Sequence, residues 1–174
     1  MGKQETDCWI GNFEGVCSDT SEVTSYLKDC FRIEEECMSE LCHIDYYGVA
    51  NNHIMEHGTK AYENTISKLK SEGIGVFGSM QEKTIQIEHN GKNIGVLGFS
   101  MREDNSPFKS MYWKFPEYAE IDNEFQNIKA CDYKIAYIHW GVEFVDYPSN
   151  EQTRMAHWLV DLGFDLIVGM HPHV

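Results

Sequence analysis

Apolar runs that read as strands alternate along this chain with amphipathic stretches, and that alternation restricts the fold more than any other feature. "DYYGVA", "IGVFG", "YKIAYIHWG" and "DLIVG" are the strand-like runs; "TKAYENTISKLKSEG", "YAEIDNEFQNIKAC" and "NEQTRMAHWLVDLG" have the spacing of helices. In the first of these helices Thr59 is the expected N-cap, Ala61, Ile66 and Leu69 share a face, and Gly73 ends the element. Strands separated by helices of about 10 to 15 residues build βαβ units and a largely parallel α/β sheet. "TIQIEHNGKNIGVLGF" alternates, breaks at Asn90-Gly91 and alternates again, the strongest hairpin signal in the chain. "CWIGNFEGVCSD" reads as a short strand opening into a loop, followed by a polar stretch to about Asp29, and "EEECMSELCHI" reads as an amphipathic helix. "SMREDNSPFKSMYWKFPEY" is an irregular aromatic-rich excursion; its segment from Phe108 to Tyr118 either faces a substrate or covers the sheet.

A chain of 174 residues, 42% hydrophobic and 24% charged, has ordinary globular composition and is long enough for one domain with a proper core. Its formal charge of −14 argues against nucleic acid and anionic lipid as partners, since both call for a basic face. An acidic chain still accepts an anionic substrate where a metal supplies local positive charge. No stretch approaches the roughly 18 apolar residues of a membrane span, and the start lacks an apolar signal core, so the expectation for the chain as given is cytoplasmic. The six cysteines contain no C-x-x-C pair and read mostly as reduced core residues. Cys8 and Cys17 flank Glu14 and are the two that could ligate.

In parallel α/β sheets ligands bind beyond the carboxyl ends of the strands. Those positions hold Asn12 and Glu14 ("GNFEG"), Asn51, Asn52 and His53 ("ANNH"), His139 and Glu143 ("IHWGVE"), and His171 and His173 ("GMHPH"). Taken singly, Glu14 is an ordinary loop acid, the asparagines cap a helix or make a turn, and His139 is a core histidine. His171 and His173 are harder to dismiss: in extended backbone residues two apart point the same way, and Pro172 holds the chain extended. Together the nine residues suit a first-row divalent metal or a metal pair able to act on a phosphoryl group.

"ANNHIMEHGTKAYENTISKLKSEGI" resembles the central signature of the CapA/PgsA-type capsule biosynthesis proteins, the poly-γ-glutamate capsule family. "IAYIHWGVEFVDYPSNEQTRMAHWLVDLGFDLIVGMHPHV" is closer still, with HWG-x-E, the Pro-x-x-x-Gln helix start, Asp-x-Gly-x-Asp and HPHV in order, and "WIGNFEG" is similar to the family's Asn-x-Glu motif. The resemblance covers residues 8 to 174. It implies a metallophosphoesterase-like αββα sandwich, one CapA-type domain over 1–174, and two divalent metal ions (Mn, Fe or Zn). It also implies roles: Glu14 bridges metals with Asn12 in support, Asn52, His139, His171 and His173 complete the ligands, and His53 acts as acid near the leaving group. Asn51 and Glu143 stand behind the ligands, Glu143 orienting His139.

The implied substrate is a small molecule or polymer, the implied partners are other capsule synthesis proteins, and many relatives are membrane-anchored and extracellular. The sequence departs from the pattern twice. No Gly-Asp strand end precedes Cys8, and no further strands or Gly-Asn-Phe segment follow HPHV, so the expected domain is incomplete at both ends. The expected activity is metal-dependent phosphoester hydrolysis in capsule biosynthesis; the alternative is a non-catalytic scaffold of the same fold. A Rossmann-like enzyme without metal ranks lowest, because "GVFGS" and "GVLGFS" lack G-x-G-x-x-G order.

Overall fold

The structure is a computed structural model that describes residues 7–19, 21–23, 31–41, 43–104 and 106–174. Its strands are β1 (Ile10–Asn12), β2 (Val16–Cys17), β3 (Arg32–Ile33), β4 (Tyr46–Gly48), β5 (Gly75–Phe77), β6 (Thr84–His89), β7 (Lys92–Ser100), β8 (Tyr133–His139) and β9 (Leu166–Met170). Its α-helices are α1 (Thr59–Ser71), α2 (Tyr118–Phe125) and α3 (Asn150–Leu162). None of the described helices is long and apolar enough to cross a membrane.

Every apolar run named above forms a strand, and the pairing is parallel except at one edge. One sheet has the order β1-β4-β5 and the other β6-β7-β8-β9; β2 and β3 form a small parallel pair apart from both. Among the described strands only β6 runs antiparallel, joined to β7 through Asn90 and Gly91, which both hold positive φ (50° and 71°) as a tight primed hairpin turn requires.

Period-two alternation sorts side chains into layers. Val96, Ile135 and Tyr137 face the space between the sheets, with Phe77, Ile87, Ile10 and Tyr46. Their neighbours Leu97, Ala136 and Ile138 face the other way, against Ile121 and Phe125 of α2 and Met155 and Leu159 of α3. Beyond the first sheet, Tyr47 and Val76 pack on Tyr62 and Leu69 of α1. The layers run helix, sheet, sheet, helix, which is the expected αββα sandwich.

The two sheets approach closely because glycine stands at the contact. A Cβ on Gly98 would lie 2.7 Å from Phe77 Cδ2, and one on Gly48 would lie 2.9 Å from Tyr137 Cε1. In the space so left, the Phe77 and Tyr137 rings meet edge to face at 5.3 Å.

Two local expectations differ from the structure. Thr59 is the first helical residue of α1 and Gly58 (φ 91°) the N-cap, with no side-chain bond of its own. Glu22, far away in sequence, accepts the Lys60 N–H at 3.0 Å and covers Gly58, so a carboxylate brought in by tertiary packing does the capping. The stretch read as an amphipathic helix is a 3-10 helix, Glu35–Leu41, in which Met38 is the buried residue. A single buried side chain gives no apolar stripe to hold an α-helix. The aromatic excursion covers the core with part of its length. Tyr112 and Trp113 are buried against the core, while Phe115 and Tyr118 are half exposed beside a cleft.

Phe77→Ala removes the buried wedge between the sheets and should cost about 3–5 kcal/mol of stability in a denaturant melt. An unchanged unfolding midpoint would show that the sheets do not depend on it. Cys17 is fully buried and burial pushes its thiol up to about 11, so in the native protein it should resist iodoacetamide at pH 8 while exposed Cys37 reacts. Peptide mapping reads the difference, and rapid labelling of Cys17 below pH 9 would contradict it.

Candidate metal centre

The carboxyl ends of β1, β4, β8 and β9 open toward one place. β1 delivers Asn12 and, after a turn, Glu14; β4 runs into Asn51, Asn52 and His53; β8 ends on His139; β9 runs into His171. Asn51 is fully buried and ties the first two segments together. Its Nδ2 donates to Phe13 O at 2.8 Å and Asn12 Oδ1 at 3.3 Å, and its Oδ1 accepts the His53 and Ile54 N–H groups at 3.1 and 3.0 Å. Asn12 in turn donates to Glu14 Oε2 at 2.7 Å, leaving Oε1 for the cluster.

Glu14, His139 and His171 each offer a ligand atom, and those atoms lie within 4.8 Å of one another. Glu14 Oε1 is 3.7 Å from His53 Nε2 and 3.9 Å from His139 Nε2, too far for hydrogen bonds. Glu14 Oε1, His139 Nδ1 and both ring nitrogens of His171 are buried without a hydrogen-bond partner. Buried polar atoms are normally paired, so unpaired ones on three neighbouring side chains fit a cation. A tetrahedral ion about 2.1 Å from each ligand holds neighbouring ligand atoms about 3.4 Å apart, so atoms within 4.8 Å of one another would draw in to bind one.

Electrostatics prepare the same chemistry. Burial, then the neighbouring His171, His53 and Arg102, bring His139 down to about 3, and burial with Arg102 lowers His171 as well. Both imidazoles are therefore neutral at pH 7, the form that ligates a metal.

Asn52 Oδ1 accepts from His139 Nε2 at 2.7 Å, and Asn52 Nδ2 lies 3.2 Å from His53 Nε2. Asn52 thus stands between the two histidines, and a cation bound there would replace its bond to His139. A second group, Glu143, His171 and His173, shares His171 with the first and faces solvent. Glu143, expected beside His139, lies 3.8 Å from His171 Nε2, too far for a hydrogen bond.

The expected extended His171-Pro172-His173 also gives way to a turn. His171 has φ 101° and His173 φ 56°, because Pro172 packs on Gly141 and its carbonyl accepts Phe144 N at 2.7 Å. A non-glycine residue at such a φ is strained, and strain of this kind concentrates at functional sites. Cys8 and Cys17 take no part: Cys8 packs between the sheets, and Cys17 Sγ points to Glu34 O at 3.7 Å.

Three residues join the site without having been read from the sequence. Glu56 Oε1 lies 2.8 Å from His53 Nδ1, and its signal is the His-x-x-Glu spacing. Arg102 follows the end of β7, a strand end that the reading passed over. Phe31 stacks on the His53 ring at 3.7 Å and arrives only by tertiary packing.

Asn51→Ala should lose about 2–3 kcal/mol, since it strips several buried groups of their partners at once. A thermal melt within a degree of the wild type would show that the segments after β1 and β4 are held by other means.

A family model described as the bacterial capsule synthesis protein PGA_cap matches residues 3–174. The PGA biosynthesis protein CapA of Bacillus subtilis is 29% identical over 139 residues, covering 72% of this chain and 36% of that protein. The capsule biosynthesis protein CapA of Bacillus anthracis is also 29% identical over 139 residues, covering 72% of this chain and 34% of that protein. The chain thus spans about a third of the length of these relatives. In structure it is similar to a protein assigned as a 5'-nucleotidase in Staphylococcus aureus, with a TM-score of 0.50 and 14% identity, over 72% of this chain and 28% of that one. That likeness bears on the fold alone, a metallophosphoesterase-like sandwich. With a family model matched from residue 3 to residue 174, the chain belongs to the bacterial capsule synthesis protein family PGA_cap.

Proposed function

We propose that this domain, read as one unit over 1–174, binds divalent metal at the strand-end cluster and hydrolyses a phosphoester in the making of a capsule polymer. The observation that carries the reading is the clustering of Glu14, His139 and His171, each with a buried polar atom that lacks a hydrogen-bond partner. Glu14, Asn52, His139 and His171 would hold one ion. A second ion, of manganese, iron or zinc, would be held by His173 and Glu143, since a neutral His171 can ligate only one of the two. Bound metal supplies a Lewis acid and lowers the pKa of a coordinated water.

The remaining work falls to the chain's own side chains. Glu56 accepts from His53 Nδ1–H, so Nε2, turned toward Glu14, would hand a proton to the departing oxygen from the doubly protonated ring. Phe31 covers the other face of that imidazole and keeps water from it. Asn12 and Asn51 hold Glu14 in register. The substrate in this reading is a small phosphoester or a polymer end, handled alongside other capsule synthesis proteins.

One observation favours a second reading, a scaffold without catalysis. Asn52 Oδ1 and His139 Nε2 satisfy each other directly at 2.7 Å, a contact that requires no ion.

Elemental mass spectrometry of the purified chain decides between them. About one to two equivalents of manganese, iron or zinc are expected, lost in His171→Ala/His173→Ala while circular dichroism shows the fold retained. Phosphoester turnover should follow the metal. A wild-type chain that takes up none of the three metals would overturn the catalytic reading and leave the scaffold.

A further inference from the structure

Beside the cluster, on the helical side of the larger sheet, lies an open cleft of about 800 Å³. It runs from the ends of β7 and β8 to the first turns of α2 and α3. Trp140, Tyr118 and Phe115 give it aromatic walls, and Arg102 and Arg154 line it with guanidinium groups. The chain has three arginines, and two of them are here.

The charges of these two are not spent. In this acidic chain six lysines are paired with carboxylates: Lys68, Lys70, Lys83, Lys92, Lys114 and Lys134. Among the described residues, neither Arg102 nor Arg154 makes an ion pair. Arg102 is aimed rather than loose. Its Nη1 donates to Gly141 O at 2.9 Å, its own N–H donates to Ser100 Oγ at 3.1 Å, and its Nε is buried with no partner. A guanidinium held in place in this way suits a planar or tetrahedral oxyanion.

Two carboxylates also line the cleft, and they narrow the class of ligand. Glu117 is engaged in the capping box of α2, and Glu151 lies in the first turn of α3. Both would repel a run of negative charges. A single anionic head on an aromatic or apolar body meets the arginines and the aromatic walls without that cost.

We propose that this cleft is a second binding site, for an organic anion whose phosphate or carboxylate head is read by Arg102 and Arg154 and whose body lies against Trp140, Tyr118 and Phe115. Its use in seating part of a phosphoester rests on the metal reading above; the binding itself does not.

The test is isothermal titration of phenyl phosphate and of benzoate into metal-stripped chain, with benzyl alcohol as the uncharged control. Either anion should bind and benzyl alcohol should not; the tighter of the two identifies the head group. Affinity should fall at least tenfold in Arg102→Gln/Arg154→Gln and stay unchanged in His171→Ala/His173→Ala. Because Arg102 also holds Gly141, Arg154→Gln alone serves as the variant that leaves that corner intact, and it should weaken binding severalfold. No binding of either anion to the wild type, affinity indifferent to both arginines, or affinity lost with the histidines would each overturn the proposal. Failure of the metal reading appears separately, as absent metal uptake.

Discussion

Glu14 and His139 belong to different sheets, so the spacing of the ligand cluster is set by how closely two sheets pack. Sheets usually stack about 10 Å apart with side chains filling the gap. Here Gly98 beneath Phe77 and Gly48 beneath Tyr137 draw them together at the level where the strands end. The cluster is the visible result. A larger residue at either glycine would push Phe77 or Tyr137 outward and part the carboxylate from the histidines.

The polar groups of the site follow from that framework. Asn51 is buried just after β4, and its four contacts hold both the carboxylate-bearing segment and the backbone at His53 and Ile54. Neutral histidines suit this interior better than charged ones, since an isolated charge is costly there. Arg102 adds to that preference from the side while remaining available to the neighbouring cleft. The acidic surface and the arginine-bearing cleft coexist because, among the described residues, six lysines pair with carboxylates and these arginines do not.

Much of this architecture was legible in the residues. The apolar runs, the Asn90-Gly91 turn and the helical spacing each express a local preference that the tertiary structure keeps. The strand-end rule likewise brought Glu14, Asn52, His53, His139 and His171 to one place, because it depends on topology and not on side-chain detail. What the sequence hid was non-local. Glu22 caps a helix 37 residues downstream only after folding, Phe31 reaches His53 from another segment, and the turn at His171 answers to Pro172 resting on Gly141. Glu143 went astray for the same reason: proximity to His139 along the chain says nothing about which imidazole a loop will face.

The parallel order of the larger sheet has a kinetic consequence. The β6–β7 hairpin closes between near neighbours and can form early, whereas β8 and β9 pair only across an intervening helix. Glu14 and His171 stand 157 positions apart in sequence, so the cluster assembles only through contacts of very long range, the kind a folding chain closes last.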